Sequence, residues 1–129
     1  GGLARVGLIV LLVEADQDMR RALTNLMESW GAHVIEAETP QAALDLLDVL
    51  DLTPDALLFD DVGATGTSGL ALYQRVMERL GPLPCALLSE DRSTRLRQDC
   101  RVLSVELLPK PLDRHKLGRF LEEVARAMH

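Results

Sequence analysis

An α/β fold, with helices on both faces of one parallel sheet, is what this sequence predicts. Short β-like runs alternate with longer segments of helical period along the whole chain. The first run, Gly7-Leu-Ile-Val-Leu-Leu-Val13, is continuously apolar rather than alternating. A strand buried on both faces of a parallel sheet reads this way. Strands that alternate with helices are joined by crossovers, which makes the pairing parallel.

Each element has its own local reason. After the first strand, Met19, Ala22, Leu23, Leu26, Met27 and Trp30 recur at the spacing of an amphipathic helix. Asp16 suits its N-cap, and Gly31 stands where a helix C-cap is expected. His33 to Ala37 reads as the second strand. Thr39-Pro40 opens a helix with a capping hydroxyl and a proline at the first helical position. Ala43, Leu46, Leu47 and Leu50 form its apolar face, and Thr53-Pro54 ends it. Ala56-Leu-Leu-Phe59 is the third strand and runs directly into Asp60-Asp61.

Val62 to Gly69, rich in glycine, threonine and serine, predicts a loop. The third helix turns Tyr73, Val76, Met77 and Leu80 inward, and Pro82 and Pro84 bracket its exit. Cys85-Ala-Leu-Leu88 is the fourth strand, ending at Ser89. Glu90 to Arg101 reads as a polar helix, with Arg92, Arg95, Arg97 and Arg101 on a solvated face. Val102 to Leu108 contains the fifth strand. Leu117, Phe120, Leu121, Val124, Ala125 and Met128 mark the last helix.

Composition narrows the function. The 129 residues are 47% hydrophobic and 26% charged, a balance that builds one core without metal or disulfide staples. With two Phe, one Tyr and one Trp, aliphatic side chains must fill it. A net charge of -6 argues against a direct nucleic-acid surface, which needs a basic face. No apolar run approaches the roughly 20 residues of a membrane span, and no segment reads as an export signal. Cys85 and Cys100 are too few for a disulfide framework and read as small buried residues. The expected location is cytoplasmic.

In a parallel sheet, ligands gather outside the carboxyl ends of the strands. Those ends carry Glu14 and Asp16, then Asp60 and Asp61, then Ser89, then Lys110-Pro111. Clustered carboxylates raise one another's pKa unless a cation neutralises them. Hard oxygen ligands at a wet edge suit Mg²⁺. An aspartate can form an aspartyl-phosphate, and a cation, a lysine or a hydroxyl can stabilise the transferring group. A serine at a strand end also serves as a plain turn former, and a lysine before proline as a solvated cation. Glu90 and Asp91 either add negative charge near the site or cap the next helix. His33, His115 and His129 show no ligand spacing.

The ordered set, acids, then Asp, then Ser, then Lys-Pro, resembles the response-regulator receiver family over about Leu8 to Met128. The resemblance implies a flavodoxin-like (βα)5 three-layer sandwich with strand order 2-1-3-4-5, as a single domain over 1–129 with a core of about 7–128. It implies phosphotransfer from a histidine kinase, in cis or in trans, onto the strand-three aspartate, with no classical enzyme activity. Pro54-Asp55-Ala-Leu-Leu-Phe-Asp60 matches the family's run into its acceptor and favours Asp60 over Asp61. Ser89 and Lys110 would assist. Glu14, Asp16, Asp60 and the carbonyl of Val62 would hold Mg²⁺, and Lys110-Pro111 would be cis. An output or phosphotransfer domain would be the further partner, a homodimer is compatible, and nucleic acid and membrane are not expected. The long loop after Asp60 and Leu107-Leu108-Pro109-Lys110-Pro111 are similar to the C-terminal receivers of hybrid sensor kinases.

The chain departs from the family at three places. Ala15 stands where a second acid usually ligates the metal, so weak Mg²⁺ binding is expected. Leu107 replaces an aromatic residue that moves when the acceptor is modified. Val62-Gly63-Ala64 replaces a Met-Pro pair. A degenerate receiver, acting as a phosphorylation-independent protein-interaction module, is therefore the alternative. A flavin or nucleotide enzyme is disfavoured because Glu14-Ala-Asp-Gln-Asp18 would repel phosphate. A hydrolase is disfavoured because no G-x-S-x-G elbow is present.

Overall fold

The computed structural model describes residues 7–61 and 68–128. Five parallel strands, β1 (Ile9–Val13), β2 (His33–Ala37), β3 (Ala56–Asp60), β4 (Cys85–Ser89) and β5 (Glu106–Pro109), pair in the order β2-β1-β3-β4-β5. The helices are α1 (Gln17–Ser29), α2 (Pro40–Val49), α3 (Gly69–Leu80), α4 (Thr94–Leu103) and α5 (Arg114–Ala127). This is the parallel sheet predicted from the strand-helix alternation, in the flavodoxin-like order implied by the family resemblance.

Strand residues alternate between two cores because successive side chains point to opposite faces. Val10, Leu12, Leu58, Ala86, Leu88 and Leu108 pack with residues of α1 and α5. Leu11, Val13, Leu57, Phe59, Cys85 and Leu87 pack with residues of α2, α3 and α4. The central strands are apolar on both sides for this reason. β2, on the sheet edge, has an exposed His33 and Glu36.

Local chemistry fixes the helix ends. Asp16 accepts from the Met19 N–H and Thr39 from the Ala42 N–H, so both predicted N-caps hold. At the end of α1, Gly31 takes φ 93°, its N–H reaching Glu28 O while the Ala32 N–H reaches Met27 O. That is a Schellman closure, in which glycine carries the left-handed residue without a Cβ penalty.

Three expectations are corrected. Residues 90–93 form a loop, not the start of α4, because Ser93 rather than Glu90 or Asp91 supplies the N-cap by accepting from the Leu96 N–H. Arg92 therefore lies before the helix, off the predicted solvated face. Val102 and Leu103 belong to α4 and not to the fifth strand. Ser104 ends the helix at φ 59°, and the Val105 N–H returns to Cys100 O at 2.8 Å. In α2 the fully buried residues are Ala43 and Leu44, so the helix is rolled from the predicted face, with Leu46 and Leu47 packed at its margin. None of the described helices is long and apolar enough to cross a membrane.

Candidate functional site

The same strand alternation sorts the side chains at the carboxyl edge of the sheet. Continuing each strand by one or two residues places Glu14, Asp60 and Lys110 in the α1/α5 phase. Asp61 and Ser89 fall in the α3/α4 phase. The contacts follow this sorting.

In the first group, Asp60 ends β3 with its side chain only 2% exposed. Lys110, just after β5, brings Nζ to 2.5 Å from Asp60 Oδ1. The contact is an ion pair without hydrogen-bond alignment, and among the described residues neither Asp60 oxygen has a hydrogen-bond partner. The Lys110 N–H donates to Ser89 O at 2.9 Å, which ties its backbone to β4, and the Lys110-Pro111 bond is cis. Burial disfavours the Lys110 charge, but Asp60, Glu14 and Glu90 outweigh it and raise its pKa.

Glu14 follows β1, is 4% exposed, and keeps one oxygen, Oε2, without a partner among the described residues. Its pKa is raised to about 8, first by burial, then by the close Asp60 carboxylate and its charge, with Lys110 opposing. At neutral pH Glu14 therefore keeps its proton beside the Asp60 carboxylate. Ala15 is exposed. Asp16 is exposed too and spends its carboxylate on the α1 N-cap, where Oδ2 accepts from the Met19 N–H at 3.0 Å. Val62 lies outside the described residues.

In the second group, Ser89 is the last residue of β4 and 2% exposed. Its Oγ donates to Asp61 Oδ2 at 3.4 Å and accepts from the Asp91 N–H at 3.0 Å. Asp61 Oδ1 accepts from the Gly69 N–H at 3.0 Å, so this carboxylate spans from α3 to β4. Gly69 is there because space is lacking: a Cβ would collide with Leu87 Cδ1.

The structure thus joins Asp60, Lys110 and Glu14 directly and holds Ser89 on the neighbouring acid. Two contributors escaped the sequence reading. Asp61 was weighed only as a rival acceptor, although the period of two along β3 sets it on the opposite face from Asp60. Arg92 donates through Nη2 to Lys110 O at 2.9 Å, linking the loop after β4 to the loop after β5. No local pattern in the sequence signals that contact.

The fit to a divalent cation can be judged from the orphaned atoms. Among the described residues Glu14 Oε2 and both Asp60 oxygens are buried acceptors without hydrogen-bond donors, the state that a hard cation satisfies. Ala15 adds no side-chain oxygen, and among the described residues no set of three acidic, imidazole or thiol side chains converges as a metal site. The residues fit Mg²⁺ with a reduced ligand set.

Comparison with known proteins agrees with this geometry. The chain is 28% identical over 123 residues to the two-component response regulator-like protein PRR37 of Oryza sativa subsp. indica, covering 93% of this chain and 16% of that protein. It is 26% identical over 118 residues to the transcriptional regulatory protein FixJ of Bradyrhizobium diazoefficiens, covering 91% of this chain and 56% of FixJ. It therefore spans only part of each of these relatives. Among solved structures, a response regulator receiver domain protein from Clostridium thermocellum superposes with a TM-score of 0.84 at 14% identity, over 94% of this chain and 96% of that one. The family described as the response regulator receiver domain matches residues 10–122, and with the strand order and the edge-of-sheet acids already in place, the chain belongs to that family.

Proposed function

We propose that Asp60 accepts a phosphoryl group from the phosphohistidine of a kinase and that the domain switches conformation in response. The observation that carries this is the buried Asp60 carboxylate paired with Lys110. Phosphoacceptance is the standard function of the family. The residue assignment rests on the ion pair and on the orphaned Asp60 oxygens. Lys110 engages Oδ1, which leaves Oδ2 as the attacking oxygen. A P–O bond forms at Asp60 while the P–N bond of the donor breaks, and the imidazole nitrogen leaves with the electron pair. Lys110 offsets negative charge on the transferring group.

Receiver domains generally bind Mg²⁺ at the acidic pocket. Here Asp60 and Glu14 would hold it, with Asp16 and the Val62 carbonyl as further candidates, and weakly, because Ala15 contributes nothing. When bound, the ion supplies charge neutralisation at the phosphoryl oxygens. Partners of this reading are a histidine kinase and an output or phosphotransfer domain, in the cytoplasm. Incubation with beryllofluoride and Mg²⁺, followed by amide NMR, tests it. Shifts at Asp60, Ser89 and Lys110 that vanish in Asp60→Asn support it, and an unperturbed spectrum in the wild type contradicts it.

One observation favours a second reading, a phosphorylation-independent interaction module. Ala15 is exposed beside the acid pair and has no side-chain oxygen to offer a metal. That reading predicts partner binding unchanged by Asp60→Asn.

A further inference from the structure

We infer that Asp61 is a positioning residue that parks the Ser89 hydroxyl in the resting protein, so that switching requires Ser89 to leave Asp61. The inference rests on Asp60 being the phosphoacceptor and adds a residue that this reading does not use.

A serine hydroxyl has a single O–H to donate. Here Ser89 Oγ gives it to Asp61 Oδ2. A phosphoryl group on Asp60 would need the same proton, and the two cannot be served together. Asp61 is well placed to compete. Its backbone N–H donates to Leu88 O at 2.8 Å and its Oδ1 accepts from Gly69, so the carboxylate is held from two sides while Oδ2 faces Ser89. The 3.4 Å separation is long for a charge-assisted bond and leaves a contact weak enough to be exchanged.

The contact also leads somewhere. Ser89 Oγ holds the Asp91 N–H, and Asp91 Oδ1 accepts from the Ser93 N–H at 2.8 Å, immediately before α4. A shift of Ser89 toward Asp60 would therefore pull the loop that carries the α4 N-cap. This route needs no ring at Leu107.

Asp61→Asn separates the roles. The amide oxygen can still accept from Gly69, but the charged acceptor for Ser89 is gone. In a beryllofluoride titration with Mg²⁺, Asp61→Asn should lower the midpoint by about threefold to tenfold, the loss of one hydrogen bond of ordinary strength. Combined with Ser89→Ala, it should produce no further change relative to Ser89→Ala alone. An unchanged or raised midpoint, or an equal shift in both backgrounds, overturns the inference.

If the wild type takes up no beryllofluoride, the phosphoacceptor reading fails, and amide exchange in the unmodified protein decides the inference separately. The same measurement decides if Ser89→Ala takes up none. Faster exchange at Asp91 and in α4 for Asp61→Asn, absent when Ser89→Ala is already present, supports parking. Unchanged exchange overturns it.

Discussion

Lys110 Nζ and Asp60 Oδ1 stand 2.5 Å apart although the residues are separated by two strands and two helices. The pair exists because β3, β4 and β5 are adjacent and in parallel register, with Asp60 opposite Leu88 and Ser89 opposite Pro109. Breaking it from the cationic side leaves two buried carboxyl groups without their counter-charge. Lys110→Ala should lower stability by about 1–3 kcal/mol at pH 8 and reduce phosphoryl uptake at least about tenfold. Urea unfolding and acetyl phosphate labelling would measure the two effects.

Glu14 predicts a pH dependence of defined sign. Its folded pKa, about 8, exceeds the ordinary glutamate value of 4.5. The folded state therefore binds more protons between these values, and stability falls as pH rises through the window. Glu14→Gln should flatten the dependence and raise stability at pH 8 by about 1 kcal/mol or more. Thermal unfolding from pH 5 to pH 8.5, without divalent cations, would show it. A wild type more stable at pH 8 than at pH 6 would contradict the assignment.

Metal affinity should follow the ligand count. Mg²⁺ should bind the wild type more weakly than micromolar, and Ala15→Asp should strengthen it by about tenfold or more, because one carboxylate is restored. Tighter binding should also appear as pH rises toward 8, where the Glu14 proton no longer competes. NMR titration with Mg²⁺ at two pH values would measure both, and micromolar affinity in the wild type would refute the weak site.

Gly69 tests the packing behind Asp61. Leu87 is fully buried, so its Cδ1 has little room to retreat from an added Cβ. Gly69→Ala should cost about 1–3 kcal/mol through overpacking, read by chemical denaturation. A neutral result would mean that the start of α3 shifts freely.

Much of this site could be read from residue order alone. The rule that ligands gather at carboxyl ends of parallel strands selects Glu14, Asp60, Ser89 and Lys110 without coordinates. Caps at Asp16 and Thr39 were equally legible, since their side chains act on backbone a few residues away. The details that escaped are non-local or depend on a turn. The boundary between α4 and β5 is set by Ser104 in a left-handed conformation that serine rarely adopts, so Val102 and Leu103 looked like strand. Arg92 reaches a carbonyl eighteen residues away, a contact fixed by tertiary placement. Asp61 and Ser89 were both named, but their pairing follows from carrying strand phase past the ends of β3 and β4.

The most direct test of the account is the position of the acyl phosphate. The protein would be incubated with acetyl phosphate and Mg²⁺, the modified carboxyl trapped by borohydride reduction, and the residue identified by tandem mass spectrometry. The account predicts a single modified residue, Asp60, lost in Asp60→Asn and retained in Asp61→Asn. Modification at Asp61, or none at either residue, would contradict it.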